Sequence, residues 1–244
     1  MSAGLRAAFW RTLLIQASWG YDRMIGIGMA YAMRPLLPTD PSTGAASPDV
    51  IARSAGFFNA HPYLAGVAVG ALSRAEVDGV GSEQLARLRA ALSGPLGSIG
   101  DRLFWGGLLR AASGLGLIVA ALASAPWAVA VFLLSYNIPH LFVRRWAIAA
   151  GWREGASVSR ALSGFVLRGA VVWAQRLAAL TVGMAVPIVA ATLLRPYTGS
   201  LVGGALAVAL AVTVAGRWLA PTLGGMRLAL LAAGAALLGG ALWP

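Results

Sequence analysis

Residues 111–143 read AASGLGLIVAALASAPWAVAVFLLSYNIPHLFV, a run of 33 positions without a formal charge. About 20 apolar residues in a helix suffice to cross the hydrocarbon core of a bilayer. The run exceeds one span, and Pro126 and Pro139 interrupt it. We read a span over 108–124, a turn at Ser124-Ala125-Pro126, and a second span over 127–143. Arg144, Arg145 and Arg153 then mark a boundary on the cytoplasmic side, where basic residues accumulate.

The whole chain has the same character. Of its 244 residues 59% are hydrophobic and 11% charged, and the mean hydropathy is +0.75. Soluble domains carry about 25% charged residues, so this chain lacks the polar surface to stay dissolved alone. The expected fold class is an all-α integral membrane protein, with transmembrane helices, re-entrant hairpins and interfacial amphipathic helices. Further apolar runs cover 177–194, 197–216 and 228–243; the last is short enough for a tilted or partial span as well as a full one.

Several function classes drop out. The net charge of +11 does not point to nucleic acid, because the basic residues, all 19 of them arginine, are scattered through apolar sequence. Without cysteine there is no disulfide or thiolate chemistry. Two histidines far apart and few carboxylates lack the ligand density for a metal site. No nucleophile stands beside a histidine in a recognisable motif, so no catalytic residue and no cofactor are expected. Arg6 and Arg11 break the first apolar run, which argues against a cleavable signal peptide.

The N-terminal third is more polar. Residues 5–33 mix apolar positions with Arg6, Arg11, Asp22 and Arg23, which reads as helices at the interface or packed on protein; Trp10, Trp19 and Tyr21 suit that position. Residues 35–49, PLLPTDPSTGAASPD, read as a loop. Residues 74–94 are charged enough for a solvated turn and a short amphipathic helix, N-capped by Ser82 and ended by Gly94-Pro95. The organisation that follows is an interfacial region over 1–50, a core region over 51–155, and a C-terminal transmembrane region over 156–244.

Two polar islands interrupt this pattern. One is FFNAHPYLAG, residues 57–66, with Asn59 and His61 just before Pro62. The other is GPLGSIGDRLFW, residues 94–105, with Asp101 and Arg102 between glycines and an aromatic pair. A carboxylate at membrane depth costs ~3 kcal/mol on insertion scales. Irregular backbone survives there only inside protein or beside a wet cavity. Both islands therefore read as broken hairpin tips whose freed polar groups can bind a ligand. Plainer readings stand beside that one. Asp101 can pair with Arg102 or another arginine, Asn59 and His61 can cap their own backbone, and Trp105 can belong to the core. His140 lies near a membrane boundary.

These motifs, in this order, resemble the IID component of the mannose/fructose/sorbose family of bacterial sugar phosphotransferase systems, whose motifs read FFNTHP and GPLAGIGD-x-[IL]FW. QASWGYDRMIGIGMAYAM, residues 16–33, and RRWAIAAGWREG, residues 144–155, are similar to further family motifs. The resemblance covers about residues 5–175 and continues as topology to the end. It implies a non-catalytic, multi-pass permease subunit of the bacterial inner membrane. Such a subunit pairs with a IIC subunit in a trimer of heterodimers and carries a hexose across by an elevator-like movement. Cytoplasmic IIA and IIB proteins relay phosphate from phosphoenolpyruvate, and IIB phosphorylates the sugar. On this reading Asn59, His61 and Asp101 contact the sugar, with Trp19, Arg23 and Trp105 behind them. Ala60 replaces the family threonine, Arg102 replaces a serine or proline, and the acidic pair after the first hairpin is reduced to Glu76. A divergent member can recognise another sugar. The alternative is a non-transporting regulatory or sensory anchor that docks IIB-type phosphoproteins.

Overall fold

A computed structural model of the chain describes residues 2–158 and 165–193, with the single positions 211, 214 and 218. The expected spans over 197–216 and 228–243 otherwise lie outside the described residues. The chain divides into two compact units, 1–186 and 187–244, and the architecture below is that of the first.

Ser2 opens the first helix, α1 (Ala3–Thr12), its Oγ accepting from the Leu5 amide at 3.4 Å. This satisfies one of the amides that a helix start leaves without a partner. Leu5, Ala8 and Thr12 face inward while Trp10 is exposed. Residues 13–25 differ from the expected helix. They form successive turns that carry the isolated bridges Gly20–Met24 and Met24–Phe58, with Met24 at φ +51°. A backbone in that region does not continue a helix; its amides close local turns, the Met24 amide donating to the Gly20 carbonyl, and the Ile25 amide donates to the Phe58 carbonyl. Helix α2 (Gly26–Met33) follows, then a loop, and α3 (Pro48–Ser54).

Helix α4 (Ala65–Val77) is apolar on every side over Ala65–Leu72 and is buried throughout that stretch. A helix with no polar face belongs inside protein. Its main neighbour is α7 (Ala125–Glu154). The two backbones approach at Gly70 and Gly151: a Cβ on Gly70 would lie 2.4 Å from the Ile148 carbonyl oxygen, and one on Gly151 2.1 Å from that of Val67. Small residues permit such contact in membrane bundles, where apolar burial alone does not drive helices together.

The chain reverses at Asp78–Gly81 and enters α5 (Ser82–Gly100), with Gly81 rather than Ser82 at the N-cap. Gly94-Pro95 does not end this helix. Pro95 lies inside it, and α5 runs through a π-helical segment, Asp101–Leu108, into α6 (Leu109–Leu122). The second polar island is thus a widened stretch of continuous helix, not a hairpin tip. Bonding from i to i+5 takes up an extra residue while keeping the amides paired, so no chain break is required. The expected turn after α6 is present at Ala123-Ser124. Helix α7 then continues through Pro139 and beyond Val143, to Glu154. Neighbouring groups tolerate a proline in such helices by satisfying the freed carbonyl. The last described helix is α8 (Phe165–Leu193).

Among the described residues three continuous helical stretches are long and apolar enough to cross a membrane: Ser82–Leu122 with 41 residues, Ala125–Ser157 with 33, and Leu167–Leu193 with 27. Among the described residues no β-strand forms, only the two bridges. The protein is an all-α membrane protein.

Candidate functional site

The two polar islands, 57–66 and 94–105, pack against each other. Residues 55–64 form an irregular connection between α3 and α4, and His61 points from it onto the junction of α5 with the π segment. Gly100 makes room: a Cβ there would lie 2.1 Å from the Cβ of His61. The imidazole stacks on Phe104, with ring centroids 4.8 Å apart and planes at 13°, and Trp105 tilts against it at 5.4 Å. Phe104 and His61 are both almost fully buried.

His61 also caps its own turn, because Nδ1 accepts from the Tyr63 amide at 3.3 Å. That leaves the ring proton on Nε2, which is buried with no hydrogen-bond partner. Burial pushes the His61 pKa down to about 4, and the Arg144 charge acts in the same direction. The ring is therefore neutral at physiological pH.

The opposite side of the π segment is open. Asp101, Arg102, Trp105, Gly106 and Arg110 line a groove of about 640 Å³, closed on its far side by Gln175 of α8 and its neighbours. Asp101 and Arg102 are exposed, and Trp105 is half exposed. The plainer alternative, Asp101 paired with Arg102 or another arginine, does not form among the described residues; Arg102 Nε donates to the Ser98 carbonyl at 3.3 Å. Trp105 belongs to both sides, touching His61 and lining the groove.

The other expected residues sit around this pair of surfaces. The Asn59 side chain is exposed, while its backbone carbonyl accepts from Ser93 Oγ of α5. Arg23 has an exposed side chain, and its carbonyl accepts from the Phe58 amide at 3.3 Å. The Ile25 amide in turn donates to the Phe58 carbonyl at 3.1 Å. Arg23 thus supports the His61 connection through its backbone. Trp19 is exposed and packs edge-on against Tyr21 at 4.9 Å, outside the cluster around His61.

Several contributors were not legible in sequence. Arg89 of α5 donates to the carbonyls of Ser54, Gly56 and Phe57, tying down the end of α3 and the start of the connection. Arg53 makes a bidentate pair with Glu76, both bonds 2.7 Å. The Glu76 side chain is only 7% exposed, so this charge is not part of a solvated face. Tyr63 links both histidines of the chain, meeting His61 edge-on at 5.0 Å and stacking on His140 at 4.4 Å. Arg144, expected with Arg145 and Arg153 to mark a cytoplasmic-side boundary, is buried in the protein: its guanidinium lies 4.8 Å from the Tyr63 ring centroid, and Nη1 donates to the Thr12 carbonyl at the end of α1. A helix C-terminus carries partial negative charge, which accommodates the cation there. Nothing in RRW distinguishes Arg144 from the exposed Arg145; only the facing of α7 does.

Comparison with known proteins bears on this arrangement. Residues 2–191 match the family described as PTS system mannose/fructose/sorbose family IID component. The mannose-specific EIID component of Escherichia coli (strain K12) is 28% identical over 170 residues, covering 67% of this chain and 60% of the relative. The sorbose-specific EIID component of Klebsiella pneumoniae is 27% identical over 189 residues, covering 75% of this chain and 68% of the relative. The chain thus spans about three fifths of the length of the Escherichia coli relative. Among solved structures, one described as a membrane protein superposes with a TM-score of 0.65 at 25% identity, covering 75% of this chain and 69% of that chain. The mannose transporter ManYZ, in a complex with a microcin, superposes with a TM-score of 0.56 over the same shares.

Proposed function

The chain belongs to the mannose/fructose/sorbose family of IID components of the sugar phosphotransferase system, and from that membership we propose that it is the permease subunit of such a system. In this reading it pairs with a IIC subunit in the bacterial inner membrane. The pair binds a hexose and carries it across by an elevator-like movement, as a trimer of heterodimers. A IIB protein, charged through IIA, phosphorylates the sugar. The subunit itself performs no chemistry.

The observation that carries the proposal is the packing of His61 into the notch at Gly100, against Phe104 and Trp105. It unites the family's two motifs into one structural unit beside an open groove. Sugar sites combine an aromatic surface with a few placed polar groups. Trp105, Asp101 and Gln175 offer that combination in the groove. Asn59 lies exposed on the same connection as His61. We assign Asn59 and Asp101 as hydrogen-bond partners of sugar hydroxyls. His61 Nε2 is a buried donor that can serve the same ligand when the connection moves. Trp105 supports them directly, and Arg23 through its backbone carbonyl on Phe58; Trp19, packed on Tyr21 outside this cluster, takes no part.

The test is hexose uptake by cells carrying the chain with its IIC, IIA and IIB partners. Asn59→Ala and Asp101→Ala are expected to lower uptake about tenfold or more with insertion and IIC pairing intact. Wild-type uptake in both variants overturns the site assignment. Normal IIB docking with no uptake of any hexose by the unaltered chain would favour the regulatory anchor instead.

A further inference from the structure

The groove holds more positive charge than a neutral sugar needs. Arg102 and Arg110 line it together with a single carboxylate, Asp101. The ion pairs among the described residues are Arg53–Glu76, Arg74–Asp78, Arg87–Glu83 and Arg153–Glu154, and none involves the groove. Arg102 bonds only to the Ser98 carbonyl, and Arg110 has no hydrogen bond or ion pair among the described residues. Both are exposed on the continuous helical stretch Ser82–Leu122. A neutral hexose would engage the carboxylate and the amide, yet leave two guanidinium groups without an anion.

We propose that this groove binds a phosphate ester of a polyhydroxyl compound, the phosphate on Arg110 and Arg102 and the hydroxyls on Asp101 and Gln175. The proposal rests on the permease reading for its biological setting, and on the groove itself for its chemistry. A guanidinium presents parallel N–H donors that match two phosphate oxygens, which favours phosphate over a hydroxyl at these positions. Asp101 accepts only, so it repels the phosphate and attracts the hydroxyl end of the ligand. This polarity orients the molecule along the groove, with the carboxylate near the start of the π segment and Arg110 past its end. Trp105 lies between them in the sequence and half exposed, offering an apolar face to ring C–H groups. The volume of about 640 Å³ falls in the range of small-molecule sites.

Two sources supply this chemistry: a soluble sugar phosphate, and the glycerol phosphate headgroup of an anionic lipid. The experiment uses the full chain in phosphatidylcholine nanodiscs, titrated calorimetrically with glucose 6-phosphate, glucose and inorganic phosphate. A parallel arm replaces part of the lipid with phosphatidylglycerol and counts retained lipid by native mass spectrometry. A soluble ligand predicts that glucose 6-phosphate binds at least about tenfold more tightly than glucose. A lipid ligand predicts selective retention of phosphatidylglycerol, which blocks glucose 6-phosphate. In either case Arg110→Gln weakens binding about tenfold and Arg110→Lys restores part of it. Asp101→Asn tightens inorganic phosphate, an effect that a merely structural role would not produce. If Arg110→Gln fails to fold, Arg102→Gln and Asp101→Asn decide the matter by the same readouts.

Equal affinity for glucose and glucose 6-phosphate, with no lipid selectivity, overturns the proposal. So does anion binding that is unchanged in the arginine variants. Hexose uptake with the IIC partner separates the two readings. Uptake without anion binding sinks the groove proposal alone, whereas anion binding without uptake keeps the groove and sinks the permease.

Discussion

The π segment Asp101–Leu108 presents two surfaces in contrasting environments. On one, Phe104 is fully buried under His61, in a contact that depends on the missing Cβ of Gly100. On the other, Asp101 and Trp105 line an open groove and form no ion pair. The two differ in what a substitution can reach. A closely packed surface transmits any change in volume to its neighbours. An open surface lets a side chain change with little effect on folding, so what is lost there is function. A single widened turn therefore joins a part that holds the fold to a part available for a ligand.

Phe104→Ala is expected to break the packed side most severely. Truncating a buried phenylalanine costs about 3–5 kcal/mol. Thermal unfolding in detergent should show a large drop, with loss of the folded fraction at the temperature where the unaltered protein is stable. A variant as stable as the parent would show that the His61–Phe104 stack contributes nothing.

Acidification probes the same side. The folded His61 has its pKa near 4, against an ordinary value near 6.5. Between these values the unfolded chain binds the extra proton, so stability rises with pH. The contribution is complete above about pH 6.5 and is lost as pH falls towards 4. It amounts to at most ~3 kcal/mol. The charges and titratable groups around the ring are Arg144, across Tyr63, and Tyr63 itself. His61→Gln should flatten this part of the unfolding–pH curve; an unchanged slope would assign it to another group.

Gly100→Ala is expected to cost about 1–3 kcal/mol, the usual range for overpacking a filled site. The methyl group would displace His61 from the helix, so uptake should fall with stability. A parallel loss of both, read by unfolding and by transport, distinguishes it from substitutions in the groove.

The smallest effect on stability belongs to the groove. Asp101→Asn, an exposed substitution outside any ion pair, should change stability by no more than about 0.5 kcal/mol. Its effect should appear in uptake. A large loss of stability here would show that the two surfaces are not independent.

Much of this organisation was legible in the chain itself. The 33 uncharged residues at 111–143 dictated two helices, and Pro126 placed the turn within two residues of where it occurs, because a proline is easily placed only in the first turn of a helix. Asn59, His61 and Asp101 stood out because polar groups in apolar sequence need a reason. The break expected at Gly94-Pro95 did not occur. Pro95 is instead carried inside α5, which runs on to Gly100 and into the π segment. The helices expected over residues 5–33 are interrupted at 13–25 for a different reason: the backbone there closes local turns, and the Ile25 amide and Arg23 carbonyl pair with Phe58, which sequence distance hides.

Composition and hydropathy by themselves determined that the protein is a helical membrane protein, since burying charge in lipid is costly and each span must satisfy its own backbone. They also marked the two polar islands. Only the tertiary structure decided that these islands touch, that Gly100 receives His61, and that both histidines meet at Tyr63. It likewise decided that Arg144 is buried while Arg145 is exposed. The physical reason is the same throughout. Local energetics act on neighbouring residues and set the helices, whereas the facing of each helix follows from packing against partners many residues away.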